Sequence, residues 1–519
     1  MFSYDGNAVL WIVVPAALLS IYLAFATRSS PEDPPEVPAQ LPIPYLGHTI
    51  GLLRNHIGYY PILSKRHRKP VFAVSHLAGK IYVVDKPEVA LAILRNTKEV
   101  SFAELAASVV LRISLSSNEA RKTVLKDVSG PGRKGSDNYT PDIFKNVHAT
   151  LAPSTGLESM VSIACLYIAR EAPLLGPLDG QPFKELDLWT TVRHFIVQAT
   201  AEAVYGPMNP FRDQETEDGY WHFEESFTHL LTNVLPSITA RKGHYGRERV
   251  RKAFEKYFAQ GGHLKGSTLI KSRHDVAVRH GLSLIDMARL ETTMAIGVLS
   301  NTPPSAFWMI FYIFSNPQLL HDLRKEMDPL VSTTTSGDKD PHRVIDVSRV
   351  RKSSLVSSIW NETLRHAGCG TSARIVETDC RVEVGEERYL FRKGNVIQLP
   401  SHTVQTNDRF WGENIKEFDG ARFCGEQETG IRKAGVFRPF GGGATLCPGR
   451  HLSAAENTVM AVVVALSYEM EPVSGTWEEP EKWTPSMASA VYWPTKGVNV
   501  KVRRRQGFEK GTWEFTGMA

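Results

Sequence analysis

The residues of this chain best suited to chemistry lie in Phe437-Arg-Pro-Phe-Gly-Gly-Gly-Ala-Thr-Leu-Cys-Pro-Gly-Arg450. Gly441, Gly442 and Gly443 have no Cβ, so the backbone can turn sharply and come close to a flat ligand. Pro448 and Gly449 lead into Arg450-His-Leu-Ser-Ala-Ala-Glu456, a predicted helix whose N-terminal peptide dipoles favour a thiolate over a thiol at Cys447. An anionic sulfur in a tight loop suits axial ligation of haem iron, where it pushes electron density toward O–O cleavage. The same residues also describe a buried free cysteine beside a glycine-rich turn. The elements around the loop decide between the two readings.

Composition narrows the field. The chain has 519 residues, 42% hydrophobic and 22% charged, as an ordinary globular core requires. A formal charge of +5 with no basic-aromatic stripe excludes nucleic acid as the expected partner. Cys165, Cys369, Cys380, Cys424 and Cys447 lack C-x-x-C spacing, which argues against a zinc site or a disulfide framework, and their odd number fits a reducing compartment.

Residues Ala8 to Ala26 run without a charge, long enough to cross a hydrocarbon core of about 30 Å. A membrane span is predicted there rather than a cleaved signal, because no Lys or Arg precedes the run. Asp5 before it and Arg28 after it place residues 1–7 in the lumen and the bulk of the chain in the cytosol. Repeated prolines make residues 27–48 a stiff polyproline hinge that spaces the body, residues 49–519, from the bilayer. A β-hairpin is predicted over Val71–Val84, then a helix from Pro87, a loop over Asp127–Asn138 and mainly helices between Pro141 and Leu264. Ser332–Asp340 reads as a polar loop, Arg374–Leu399 as short strands, and the chain beyond Glu471 as strands and loops. Many helices with a minor strand fraction give a mainly α, α+β fold class.

Leu284 to Phe314 is apolar enough to mimic a second span, but Asp286, Arg289, Glu291 and the pair Pro303-Pro304 interrupt it, so it is expected to be a buried helix crossing the core. The prolines leave the carbonyls of Leu299 and Ser300 without donors and push Thr302 out of α geometry, giving a kink that exposes Asn301 and Thr302. Thr302 can act on a bound reactant or simply cap the kink. Glu362 and Arg365, three residues apart, share a helix face and can pair.

Phe440, Gly443, Cys447 and Gly449 match the Phe-x-x-Gly-x-x-x-Cys-x-Gly haem loop of the cytochrome P-450 family, and the stretch resembles most the branch of sterol and bile-acid hydroxylases and prostacyclin synthase. It departs from the family at Thr445, where Arg or His is usual. The resemblance spans nearly the whole chain, since the anchor, hinge, central helix, Glu-x-x-Arg pair and cysteine loop follow the family's order. It implies the cytochrome P-450 fold with an N-terminal transmembrane helix, haem b, and Cys447 as the iron ligand, with Phe440, Gly443 and Gly449 shaping the cofactor loop. It makes Glu362 and Arg365 a buried pair joined by Arg422, and Asn301-Thr302 the counterpart of an acid-Thr pair that delivers protons to dioxygen. With Thr445 in the loop, Arg374 becomes the candidate partner of a haem propionate, the alternative being an exposed arginine. Arg432, Lys433, Arg438 and Arg450 form either a docking face for an acidic electron donor or a solvated surface.

The activity implied is hydroxylation of a lipophilic substrate, such as a sterol, terpenoid or other secondary metabolite. Dioxygen and electrons from NADPH-cytochrome P-450 reductase would drive it, in a single-pass protein of the endoplasmic reticulum membrane in contact with lipid. Asn301 in place of the acid keeps open a haem-thiolate isomerase that acts on a peroxide without a reductase; a non-catalytic membrane-tethered haem protein is the other alternative. Pocket specificity is assigned to Ala103–Leu115, Phe211–Ile238 and Met487–Val491.

Overall fold

The computed structural model describes residues 30–76, 79–128, 137–178, 180–335, 340–425 and 435–518. Helices dominate the described residues, and five small sheets lie among them there. The core gathers around Leu284–Leu299, Thr302–Ser315, Leu188–Tyr205, Thr155–Glu171 and Arg450–Ser467. Pro303 to Phe314 is buried without interruption, so this stretch is apolar all round because protein surrounds it. Among the described residues no single helix is long and apolar enough to cross a membrane. The predicted span at 8–26 lies outside the described residues, as do Arg432 and Lys433.

The largest sheet runs Val71–His76, Gly79–Val84, Val396–Pro400, Thr371–Val376 and Val100–Ser101, with the first pair antiparallel as the hairpin pattern predicts. Val396–Pro400 joins it parallel to Gly79–Val84 and antiparallel to Thr371–Val376, which sets Arg374 opposite Ile397.

Two expectations about the chain's course are corrected. The proline-rich stretch is not a free spacer from Asp33 onward: Ala73 N–H donates to the Pro35 carbonyl (2.9 Å), Val37 N–H to the Ala73 carbonyl (3.1 Å), and Arg392 pairs with Asp33 (3.0 Å). The prolines favour extended backbone, and extended backbone is what an edge strand accepts. Its last residues begin the helix Leu46–Asn55, held by the buried His48, whose ring bridges the Val37 carbonyl (2.9 Å) and the Tyr59 hydroxyl (3.0 Å). The polar segment at 332–340 begins as a strand, Val331–Thr334, paired antiparallel with His342–Asp346, which in turn pairs parallel with Thr512–Thr516. That pairing spans over 160 residues of sequence, and no local pattern announces it.

Candidate active site

Glu362 and Arg365 lie on the helix Ser354–His366, whose start is fixed by Ser353 Oγ accepting from Val356 N–H. Three-residue spacing puts the two side chains on one face, and here that face is inward: both are 0% exposed. Arg365 donates through Nε (2.6 Å) and Nη2 (2.7 Å) to the two Glu362 oxygens, a forked pair. Arg422 Nε donates to Glu362 Oε1 at 3.0 Å, and Asp419 N–H donates to the same oxygen at 3.1 Å. The remaining donors hold backbone: Arg365 reaches the carbonyls of Gln405 and Glu417, and Arg422 those of Asn414 and Glu417. Arg365 also stacks over Trp411, 5.4 Å from the ring centre. One carboxylate thus fastens the winding segment between Gln405 and Arg422 to the helix.

The stretch leading into the cysteine loop packs beside these residues, with the Phe437 ring 6.1 Å from Trp411. Cys447 N–H donates to the Phe440 carbonyl at 3.0 Å, closing the loop into a turn, and Arg450 Nη1 donates to the Cys447 carbonyl at 2.9 Å. Phe440 packs against the core with its ring 6.5 Å from Trp360. The loop glycines also pack closely against the rest of the chain. Gly443 has φ +66°, and a Cβ there would run into the Leu94 carbonyl oxygen, while a Cβ on Gly442 would meet the Leu94 side chain and one on Gly441 the Ser372 hydroxyl. Gly443→Ala should therefore destabilise the folded protein by about 1–3 kcal/mol from backbone strain alone, read as a lowered thermal midpoint, with Gly385→Ala, whose left-handed turn stands in open space, as the strain-only control. Gly449 opens the helix Arg450–Ser467 and stands near the sulfur: a Cβ there would sit 3.9 Å from Cys447 Sγ.

Cys447 is half-buried. Burial pushes its thiol up, against the N–H groups of Gly449 and Arg450 and the Arg450 guanidinium, which pull it down. The helix start acts in the predicted direction but is outweighed, because removing the sulfur from water penalises the charged form more than those dipoles favour it.

Arg374, on the strand Thr371–Val376, is buried. Its guanidinium touches the Thr445 hydroxyl of the cysteine loop and donates to the Ala373 carbonyl at 2.7 Å, and it pairs with no carboxylate among the described residues. Burial pushes it down to about 10. It lies over the Phe102 ring at 5.4 Å, and Phe102 forms part of the wall of an apolar cavity of about 250 Å³. Val110, Tyr139, Phe144, Met287 and Met294 line the same cavity, so the segment Ala103–Leu115 does reach it, whereas Phe211–Ile238 and Met487–Val491 do not. Arg438 is buried, with Nε donating to the Gly435 carbonyl at 2.9 Å. It is therefore withdrawn from the expected docking face.

The central helix is interrupted where the prolines indicate, with a different local outcome. The break falls at Ser300 and Asn301, between Leu284–Leu299 and Thr302–Ser315. Thr302 is already helical and Pro303 stands in the first turn, where the missing N–H has no intrahelical acceptor to lose. The buried packing of this segment overrides the preference of a pre-proline residue for extended geometry. Thr302 Oγ1 donates to Ser453 Oγ at 3.3 Å, and Asn301 Oδ1 accepts from Ala490 N–H at 2.7 Å. The Asn301 carbonyl is capped by the Ser305 hydroxyl at 2.8 Å rather than by Thr302.

Sequence reasoning missed Ser300, Ser486 and Glu224, which meet at this break. Glu224 reads as one of two adjacent acids, Glu224-Glu225, and nothing in its spacing distinguishes it. Its burial comes from tertiary packing.

Comparison with known proteins agrees with this arrangement. The model of the family described as Cytochrome P-450 matches residues 267–502. A cytochrome P-450 monooxygenase of Hypoxylon pulicicidum is 32% identical over 97% of this chain and 97% of its own length. Cytochrome P-450 7B1 of Mus musculus is 24% identical over 89% of this chain and 90% of its own, and the 7-alpha-hydroxycholest-4-en-3-one 12-alpha-hydroxylase of Homo sapiens 21% over 92% and 96%. The chain belongs to the cytochrome P-450 family. It is accordingly an oxidoreductase of the monooxygenase type, and the cofactor is haem b with an axial cysteine thiolate.

Proposed function

We propose that this chain hydroxylates a lipophilic substrate of the sterol, terpenoid or secondary-metabolite kind, with Cys447 as the thiolate ligand of haem b and NADPH-cytochrome P-450 reductase as the electron donor. The relatives that include a 7-alpha-hydroxycholest-4-en-3-one 12-alpha-hydroxylase support the substrate class. Residues 8–26 anchor the protein in the endoplasmic reticulum membrane with the catalytic body, residues 49–519, in the cytosol, as the uncharged run and its flanking charges suggest. The observation that carries the cofactor assignment is Arg374: a buried cation without a carboxylate, beside Thr445 on the cysteine loop, fits one anionic edge of a haem. Thr445 supplies a hydroxyl where the family usually places a second cation, so Arg374 would hold the propionate charge without a cation from that position.

When bound, the haem supplies the oxidising chemistry. The protein orients and encloses. Glu362, Arg365 and Arg422 keep the loop that presents the sulfur in place, Gly449 leaves the sulfur unobstructed, and the Phe102 and Val110 side of the cavity gives the substrate an apolar wall.

The test is reconstitution of the full-length protein in vesicles with the reductase and NADPH, measuring product from a panel of sterols and terpenoids together with the carbon monoxide difference spectrum. NADPH-dependent oxygenated product is expected. Turnover of a lipid peroxide without reductase, and none of the hydroxylation, would replace this reading with the isomerase. Arg374→Met should lower haem content at purification by roughly tenfold, the value of about 1.4 kcal/mol for one charge-assisted contact.

A further inference from the structure

The corner at Asn301 and Thr302 contains no acid, and both side chains are engaged, by Ala490 and Ser453. One residue earlier, the buried Ser300 hydroxyl donates to Glu224 Oε1 at 2.9 Å. The Ser486 hydroxyl, also fully buried, donates to the same oxygen at 3.1 Å. Glu224 projects from the helix Gln214–Glu225, is 0% exposed, and its second oxygen, Oε2, has no hydrogen-bond partner among the described residues.

We infer that Glu224 is the proton-holding acid of the helix break, keeping a transferable proton on the buried, unpartnered Oε2 and supplying it during dioxygen reduction in place of the acid that Asn301 does not provide. This rests on the monooxygenase reading. Hydroxylation takes one dioxygen, an electron pair from the redox partner and two protons; one oxygen atom enters the product and the other leaves as water. Glu224 gives up one of those protons from Oε2, and the carboxylate is reprotonated from solvent, with the hydroxyls of Ser300 and Ser486 stabilising the charge meanwhile through Oε1.

A purely structural role does not require an acid, since a glutamine carbonyl would accept from the same two hydroxyls. Burial pushes Glu224 up to about 7, the Ser300 and Ser486 hydroxyls oppose that, Glu225 reinforces it and Arg193 opposes it. The Tyr220 phenol and the Cys369 thiol, also close, are themselves pushed up by burial and stay neutral. The carboxyl is thus protonated below neutrality and becomes charged as pH rises through it, the range in which a general acid is most effective.

The experiment compares full-length haem-loaded wild type, Glu224→Gln, Glu224→Asp and Ser300→Ala with reductase and NADPH, following dioxygen consumption against pH, and records difference infrared spectra of protonated carboxyl groups over the same range. The wild-type rate should fall as pH rises through about 7, and Glu224→Gln should lose that limb and on the order of 10²-fold in rate. Glu224→Asp should restore most of it. Ser300→Ala removes a donor that favours the charged form, so its limb should move to higher pH, a shift that loss of packing would not produce. A carboxyl band that titrates near neutrality in wild type should be absent from Glu224→Gln. A Glu224→Gln rate and pH profile like wild type, a limb unmoved in Ser300→Ala, or an infrared band retained in Glu224→Gln would overturn the assignment while leaving the monooxygenase reading intact. If Glu224→Gln fails to fold, the Ser300→Ala shift and the wild-type infrared titration decide. A wild type that consumes no dioxygen overturns both.

Discussion

Cys447→Ser is expected to fold, to lose the thiolate signature in the reduced carbon monoxide spectrum, and to show background hydroxylation. A serine hydroxyl is too weak an acid to ionise in this half-buried setting, so the metal would keep a neutral donor or none. The thiol is different: burial raises it in the absence of a metal, but a coordinating cation deprotonates a thiol outright, and the N–H groups of Gly449 and Arg450 are then already placed to receive the charge. Replacing a group one step removed from a metal typically costs roughly 10–100-fold, and losing the ligand itself should exceed that. Cys369→Ser is the control, since Cys369 is buried with its sulfur against the Ser489 carbonyl, and its spectrum should match wild type. An unchanged spectrum in Cys447→Ser would remove the haem-thiolate assignment.

Glu362→Ala should produce protein that does not retain haem and unfolds at markedly lower denaturant. Removal of the carboxylate leaves two guanidiniums, Arg365 and Arg422, buried without a counter-charge, a defect that costs about 3–5 kcal/mol. Asp419 N–H loses its acceptor as well. That is a large share of the ~5–15 kcal/mol that separates a folded domain from its unfolded chain. The damage should spread from the helix Ser354–His366 to the segment between Gln405 and Arg422, because the same arginines hold its carbonyls. Glu362→Gln should be milder, keeping one acceptor for Arg365. Haem content per polypeptide and a denaturation curve check both, and normal haem retention in Glu362→Ala would show that the triad does not support the loop.

Much of this was legible in the residues because it depends on short-range rules. The hairpin at Val71–Val84 follows from alternation of β-branched side chains, the Glu362–Arg365 pair from helical spacing, and the interruption before Pro303-Pro304 from the missing donors. Other features were read with the right residue and the wrong surroundings. Gly441 to Gly443 approach Leu94 and Ser372 closely, contacts made by segments far away in sequence. Arg438 belongs to a basic run in sequence yet is buried, and the proline-rich stretch before His48 bonds to the edge strand Val71–His76 at Pro35 and Val37.

Taken alone, the sequence determined the family-defining loop, the helix-rich class and the identities of the residues that could carry charge or sulfur, since each of these is set by neighbours a few positions away. Tertiary structure alone decided which polar groups lost their water. Glu224 and Glu225 are chemically the same in the chain, and only the packing of three distant segments puts the hydroxyls of Ser300 and Ser486 on one of them while the other stays outside that cluster. Burial sums contributions from segments remote along the backbone, and the proton affinity of an acid follows from that burial.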